Sequence, residues 1–195
     1  MFPFSKLFSK KKSNKHEHHL VDIHSHLIPG IDDGVKTLEE SISIIKGMKE
    51  LGFEKLITTP HIMRHKYPNT NETIKSGFEI VQEEIIKQNI DIKLEFASEY
   101  YYDEHFLELI SKNDLLTFGD NYVLFELPYS PHKSHIPPMG IEHTVFELQN
   151  KGYRPVLAHP ERYLYYTNRM DKLLKFKDQA LLFQINANSY AGFYG

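Results

Sequence analysis

Apolar residues along this chain follow two patterns that alternate with each other. Short apolar runs predict buried strands, and stripes in which apolar residues return every three or four positions predict amphipathic helices. The predicted strands span Leu20–Ile23, Lys55–Thr59, Ile92–Ser98, Tyr122–Phe125, Pro155–Ala158 and Leu181–Ile185. The predicted helices span 38–51, Asn69–Asn89, Asp103–Ile110 (a short helix or turn), Pro138–Lys151 and Asp171–Asp178.

The first predicted helix carries the clearest start and stop signals. Thr37 precedes it and Glu40 follows three residues later, which is the pattern of a capping box. Ile42 and Ile45 then recur at helical spacing, and Gly52 is a typical residue at a helix end. The pattern therefore predicts a helix over residues 38–51.

This alternation of strands and helices predicts an α/β fold of parallel strands joined by crossover helices, either a doubly wound sheet or a barrel. The first five strands all lead into side chains that can bind a metal ion: His24 and His26, His61, Glu99, Glu126 and His159. In a barrel the carboxyl ends of all strands surround one mouth, whereas in an open sheet only the strands beside the switch point share a site. Five contributing strands favour the barrel.

Composition narrows the class of protein. The chain has 195 residues, 41% of them hydrophobic and 25% charged, which fits a single domain. A net charge of −3 gives no overall field that would attract nucleic acid, so no nucleic-acid partner is expected. The sequence has neither a run long enough to span a bilayer nor a secretory signal, and we expect a cytoplasmic protein. The absence of cysteine excludes disulfides, thiolate metal sites and cysteine nucleophiles.

The composition of residues 1–19 differs from that of the rest of the chain. It predicts a flexible basic arm ahead of a domain at 20–195. Phe2, Phe4 and Phe8 stand close to the cluster Lys10–Lys12. Aromatic side chains beside lysines can lie on an anionic membrane surface, so weak peripheral membrane contact is one interpretation. A solvated arm without a partner is the other.

The segment His24-Ser25-His26 is the first candidate metal motif. Residues i and i+2 of a strand point to the same face, so the two imidazoles can reach one ion, with Asp33 approaching from the next loop. Imidazole and carboxylate together favour Mn, Fe or Zn. Paired surface or core histidines are the alternative interpretation of this motif alone.

The other candidates have alternatives of different weight. His61 could be an ordinary loop histidine and Glu99 a surface carboxylate. Glu126 and His159, however, each follow a buried-looking run, where a charge is costly unless it is paired or bound to metal. All five strands would have to end in such residues by coincidence if no site existed.

Arg162 follows His159 by three residues and is a candidate phosphate ligand. Its planar guanidinium matches two phosphate oxygens at once. The alternative is a surface ion pair with the adjacent Glu161.

These segments resemble the polymerase and histidinol phosphatase (PHP) superfamily, and within it the bacterial manganese-dependent protein-tyrosine phosphatases of the CpsB/YwqE type. The resemblance runs from about residue 20 to the end. It is carried by His24-Ser-His26 with Asp32-Asp33-Gly34, Thr59-Pro60-His61, Ala97-Ser98-Glu99-Tyr100-Tyr101, Phe125-Glu126 and Ala158-His159-Pro160-Glu161-Arg162-Tyr163.

The resemblance implies a distorted (β/α)7 barrel with a centre of two or three metal ions, Mn²⁺ foremost and Fe, Zn or Mg as alternatives. It implies hydrolysis of phosphotyrosine on the tails of tyrosine autokinases that control capsule and exopolysaccharide synthesis. Carried over to this chain, it puts His24, His26 and Glu99 at one ion. Glu99 also bridges to a second ion with Glu126 and His159, a third ion takes Asp33 and His61, and Arg162 binds the phosphoryl group.

One part of the family pattern is missing from the sequence. The family completes its metal centre with Asp-x-His from a seventh strand, and no Asp-x-His follows Arg162. We therefore expect a barrel without its last strand, an incomplete metal centre and reduced activity, and an open edge that favours self-association or low stability. The alternatives in function are a small-molecule phosphoesterase of the histidinol-phosphatase kind and a non-catalytic remnant that binds metal or partners.

Overall fold

A computed structural model describes residues 20–129, 137–166 and 169–192, so the predicted arm at 1–19 lies outside the described residues. The strands are β1 (Leu20–Ser25), β2 (Phe53–Thr58), β3 (His61–Ile62), β4 (Lys93–Phe96), β5 (Glu99–Tyr101), β6 (Tyr122–Glu126), β7 (Arg154–Ala158) and β8 (Leu182–Gln184). The helices are α1 (Leu38–Glu50), α2 (Asn71–Lys87), α3 (Glu104–Lys112), α4 (Ile141–Asn150), α5 (Met170–Asp178) and α6 (Ala187–Tyr190). Two 3-10 turns, Pro160–Arg162 and Leu164–Tyr166, follow β7.

All paired strands are parallel, in the orders β1-β2-β4 and β3-β5-β6-β7-β8. Only Thr59 and Pro60 separate β2 from β3, and only Ala97 and Ser98 separate β4 from β5. Backbone contacts continue across these breaks, since the Ala97 N–H donates to the Thr58 carbonyl at 2.9 Å. The six predicted strands therefore lie side by side in chain order, two of them each broken into two, and the predicted α/β fold with parallel strands is confirmed.

The breaks have a local cause. Pro60 carries no N–H and cannot donate to the ladder. Its carbonyl instead accepts the Glu99 N–H at 3.1 Å and the Ser98 hydroxyl at 2.9 Å. Directly after the two breaks, His61 on β3 pairs with Glu99 on β5.

Helix boundaries follow the local signals closely. The capping box of Thr37 and Glu40 is formed, and α1 begins at Leu38 as predicted. The prediction of a helix from Pro138 is wrong in its first turn, because Gly140 has a left-handed backbone (φ 84°) and α4 begins only at Ile141. Helix α6 and the two 3-10 turns were not predicted. No helix in the described ranges is long and apolar enough to cross a membrane.

The central strands β6 and β7 are buried on both faces, as parallel strands under helices are. Val123, Phe125 and Leu157 face the helices and belong to the largest core cluster. Leu124, which alternates with Val123 and Phe125, faces the opposite way in a smaller cluster that also contains Val156 and Ala158. Glu126 follows Leu124 by two residues, so its carboxylate lies on this second face, at the carboxyl end of the strands.

Candidate metal centre

All seven residues predicted as metal ligands lie together at the carboxyl ends of the strands. Their ligand atoms form three overlapping groups, each with all of its atoms within 4.8 Å of one another. The groups are His24, His26 and Glu99; His26, Asp33 and His61; and His61, Glu99 and Glu126. His159 joins the cluster through its own contacts with Glu99 and Glu126.

Glu99 is the centre of the cluster and is only 1% exposed, so it is not a surface carboxylate. Its Oε2 atom lies 3.1 Å from His24 Nε2, 3.2 Å from His26 Nε2 and 3.3 Å from His61 Nδ1. Its Oε1 atom lies 2.9 Å from His159 Nε2. Four imidazoles, two from the end of β1, one from β3 and one from the end of β7, therefore surround one buried carboxylate.

Glu126 and His159 lie on the other side of this carboxylate. Glu126 Oε2 is 3.9 Å from His159 Nε2, and Glu126 Oε1 is 3.4 Å from His61 Nδ1. The second nitrogen of His61, Nε2, lies 3.4 Å from Asp33 Oδ1. His61 thus offers one ring nitrogen to the Glu99–Glu126 pair and the other to Asp33.

The electrostatics of the site fit bound cations. Burial and the nearby Glu99 raise the pKa of Glu126 to about 8, which marks two carboxylates that cannot easily share a site without positive charge between them. Burial disfavours the charged form of His26, but contacts with Asp32 and Glu99 outweigh it and raise the pKa of His26 to about 10. Metal ions bound between the two carboxylates would supply the missing positive charge.

The donor atoms also suit a metal. His61 Nδ1 is buried and lacks a hydrogen-bond partner among the described residues, although it faces two carboxylates. An imidazole lone pair in that position is a ready metal ligand. Nitrogen and carboxylate oxygen donors without sulfur match Mn, Fe or Zn.

Gly34 explains why the loop after His26 can come so close. A Cβ added to Gly34 would lie 2.4 Å from His26 Cβ and 2.5 Å from the His26 carbonyl oxygen. A side chain there would push the Asp32–Gly34 loop away. The glycine of the Asp-Asp-Gly motif thus brings Asp32 and Asp33 against the metal centre.

Several residues that the sequence analysis missed contact the ligands from outside. Asp32 Oδ2 lies 2.7 Å from His26 Nδ1, Gln184 Oε1 lies 2.8 Å from His24 Nδ1, and the Tyr129 hydroxyl lies 3.0 Å from His159 Nδ1. Gln184 is the last residue of β8, but it lies inside the predicted strand Leu181–Ile185, and glutamine is not one of the residue types that marked the other strand ends. Tyr129 follows Glu126 without a sequence signal that marks it.

Arg162 lines the same cleft as His61, Glu126 and Glu99. Its guanidinium carbon lies 5.0 Å from the centre of the Tyr129 ring, which holds the side chain over the mouth. Glu161, the alternative partner, turns to α6, where its Oε1 accepts the Asn186 N–H at 3.1 Å and the Ser189 hydroxyl at 2.7 Å.

Aromatic rings complete the rim of the cleft. Tyr67 stacks on His61 with 5.4 Å between ring centres and 9° between planes, and Lys66 Nζ lies 4.7 Å from the Tyr67 ring centre. Tyr101 and Tyr129 line the same opening. The opening of the cleft therefore combines positively charged side chains with the flat apolar faces of tyrosine rings.

The comparisons with known proteins agree with this arrangement. Residues 20–195 match the family model described as capsular polysaccharide synthesis, CpsB/CapC, and the chain belongs to this family. The family resemblance inferred from the sequence motifs is thereby confirmed.

Named relatives come from several bacteria. The chain is 29% identical over 177 residues to the tyrosine-protein phosphatase YwqE of Bacillus subtilis (strain 168), covering 90% of this chain and 68% of that protein. It is 29% identical over 169 residues to the tyrosine-protein phosphatase CpsB of Streptococcus pneumoniae, covering 86% of this chain and 68% of that protein.

A solved structure shares the fold. The match has a TM-score of 0.80 at 28% sequence identity and covers 90% of this chain and 70% of the other. It comes from work on YwqE from Bacillus subtilis and CpsB from Streptococcus pneumoniae, which are described there as metal-dependent tyrosine phosphatases.

Proposed function

We propose that this chain is a metal-dependent protein-tyrosine phosphatase. The observation that carries the proposal is the convergence of four histidines and Glu126 on the buried Glu99, with Arg162 in the same cleft. Relatives named tyrosine-protein phosphatases support it, and they do not favour the small-molecule alternative. The sequence has no cysteine, so the reaction must run without a thiol nucleophile.

In this proposal the ligand groups divide as the family resemblance implies. His24, His26 and Glu99 hold one ion; Glu99, Glu126 and His159 hold a second; and Asp33 and His61 contribute to a third. Mn²⁺ is the proposed metal, with Fe, Zn and Mg as alternatives. Divalent ions bound here supply an activated water and neutralise phosphate oxygens.

Arg162 is the proposed phosphoryl ligand. Its fork of N–H donors can take two phosphate oxygens, and its position over Tyr129 leaves it beside the metal centre. The Tyr67, Tyr101 and Tyr129 rings offer flat surfaces to the phenyl ring of the substrate.

The finer parts of the assignment are proposals of the same kind. The strands form part of a distorted (β/α)7 barrel of the PHP type, and the substrate is the tail of a tyrosine autokinase of capsule or exopolysaccharide synthesis. The protein works in the cytoplasm, and the arm at 1–19 gives weak contact with anionic membranes. Fewer than three ions are held tightly by the ligands among the described residues, because the third group has only Asp33 and His61 of its own.

Activity and metal content test the proposal together. Purified protein is analysed for bound metal and assayed with Mn²⁺ on a phosphotyrosine peptide, a phosphoserine peptide and histidinol phosphate. Metal-dependent turnover of the phosphotyrosine peptide is expected, abolished in Glu99→Gln and unchanged in the exposed control Glu83→Gln.

Each alternative has its own outcome. Faster turnover of histidinol phosphate would favour the small-molecule phosphoesterase. Metal binding without turnover of any of the three substrates would favour the non-catalytic remnant.

A further inference from the structure

Three of the four histidines in the candidate metal centre share one orientation. In His24, His26 and His159 the Nε2 atom faces Glu99 at 2.9–3.2 Å, while the shortest side-chain contact of Nδ1 is with a residue that is not a candidate ligand. A neutral imidazole has one N–H and one lone pair, and the outer contact fixes which nitrogen carries the proton. Those outer partners therefore determine whether the inner nitrogen can bind an ion.

The orientation of Gln184 is settled by a backbone donor. The His159 N–H, which can only donate, points at Gln184 Oε1 at 3.2 Å, and Gln184 Nε2 donates to Asn186 Oδ1 at 3.0 Å. The Oε1 atom is therefore the amide oxygen, an acceptor. His24 Nδ1, 2.8 Å from the same oxygen, must donate to it, which leaves the lone pair of His24 on Nε2.

Asp32 is held in the same way. Its Oδ2 accepts the His61 N–H at 3.0 Å, and its Oδ1 accepts the Gly34 N–H at 2.8 Å. Both oxygens accept, so His26 Nδ1 donates to Oδ2 at 2.7 Å and the lone pair of His26 lies on Nε2. The Asp32 side chain is fully buried. It supports His26 from outside the metal centre, whereas the adjacent Asp33 is the candidate ligand of this loop.

We propose that Asp32 and Gln184 are positioning residues, which hold His26 and His24 with the ring proton on Nδ1 and the Nε2 lone pair directed at the metal centre. The inference rests on the proposed function, because it assigns these histidines to metal ions. Gln184 has a second task, since the same oxygen also holds the backbone of His159. Tyr129 is left out, because its hydroxyl can donate or accept and does not determine the ring proton of His159.

Loss of such outer partners typically weakens metal binding by about 10–100-fold. Gln184→Met keeps the length of the side chain and removes the acceptor. Gln184→Glu keeps the acceptor and adds negative charge. Asp32→Asn keeps the shape but turns one acceptor into a donor that must face an N–H.

The test measures Mn²⁺ affinity by competition with a chromogenic chelator. Gln184→Met and Asp32→Asn are expected to bind about 10–100-fold more weakly than the unsubstituted chain, and Gln184→Glu at least as tightly. Gln88→Met and Asp91→Asn change the same residue types at exposed positions and should leave the affinity unchanged.

A second readout follows the rings themselves. In protein loaded with diamagnetic Zn²⁺ and labelled with ¹⁵N-histidine, long-range NMR correlations should show His24 and His26 bound through Nε2 with a proton on Nδ1. Gln184→Met should change the NMR correlations of the His24 ring and leave those of the His26 ring unchanged. A general loss of order in the protein would change both.

The possible failures are distinct. Equal affinity of Gln184→Met and the unsubstituted chain, or coordination of His24 through Nδ1, would overturn this inference alone. If Gln184→Met does not fold, the NMR correlations of His24 in the unsubstituted chain still test which ring nitrogen binds the ion. Absence of any divalent-ion binding by the unsubstituted chain would overturn the proposed function and this inference with it.

Discussion

Two regions of the strand layer hold residues of the candidate metal centre in different ways. The first is the wall made by β5, β6 and β7, where Glu99 pairs with Leu124 and Tyr101 with Glu126 in regular parallel register. The second is the seam between β1 and β8, which are edge strands of the two sheets. There the His24 ring and the Gln184 amide contact each other through side chains.

The packing differs in the same way. Phe125 and Leu157 in the wall are completely buried, whereas Val21 on β1 and Leu182 on β8 are 44% and 43% exposed. The candidate ligands of the wall are therefore placed by backbone ladders and a dense core. The candidate ligand of the seam, His24, depends on an individual side-chain contact, so its geometry is easier to change without unfolding the protein.

The largest expected effect tests this contrast directly. Leu157→Ala in the wall should lower the free energy of unfolding by about 2–5 kcal/mol, because it leaves a cavity in a closed core. Leu182→Ala in the seam should cost about 0.5 kcal/mol or less, as exposed substitutions do. Urea unfolding of both variants without metal measures the difference, and equal losses would refute the contrast.

Next comes Arg162, on the turn that follows the wall. Arg162→Ala should weaken binding of inorganic phosphate by about 1.5–3 kcal/mol, the contribution of hydrogen bonds to a charged group. Arg162→Lys should recover only part of this, since it keeps the charge and loses the fork. Phosphate inhibition of turnover measures both, with Arg154→Ala, at the opposite end of β7, as the control. Unchanged inhibition in Arg162→Ala would show that another group binds the phosphoryl oxygens.

A substitution at Gly34 tests how closely the Asp32–Gly34 loop approaches His26 beside the seam. Gly34→Ala should destabilise the protein by about 1–3 kcal/mol, because the new Cβ overlaps His26. Gly47→Ala is the matched control: nothing lies within 4 Å of its added Cβ, and it should stabilise α1 by about 0.5–1 kcal/mol. Thermal unfolding should therefore shift in opposite directions for the two variants, and shifts of the same sign would contradict the close approach.

The smallest effect concerns the start of α1, the helix that follows β1 in the chain. Thr37→Ala removes the acceptor for the Glu40 N–H and should cost about 1 kcal/mol. Thr37→Ser keeps a hydroxyl and should restore most of that loss. Mn²⁺ affinity should be the same in both variants, so a change in affinity would mean that the helix start also positions the seam.

Much of this molecule could be predicted from the sequence because the signals are local. Strand and helix periods depend on neighbouring residues, and so does the capping box of Thr37 and Glu40. The clustering of Glu99, Glu126 and His159 followed from one rule, that the carboxyl ends of parallel strands meet at one edge.

Only the tertiary structure decided which atoms meet. The contact of His24 with Gln184 joins residues 160 positions apart, and the two nitrogens of His61 are shared between Asp33 and the Glu99–Glu126 pair. Asp32 and Asp33 are adjacent in the sequence, and the fold buries Asp32 against His26 while the Asp33 side chain stays 58% exposed beside His61. Hydrogen-bond partners of this kind depend on the packing of distant segments, for which a single sequence carries no local pattern.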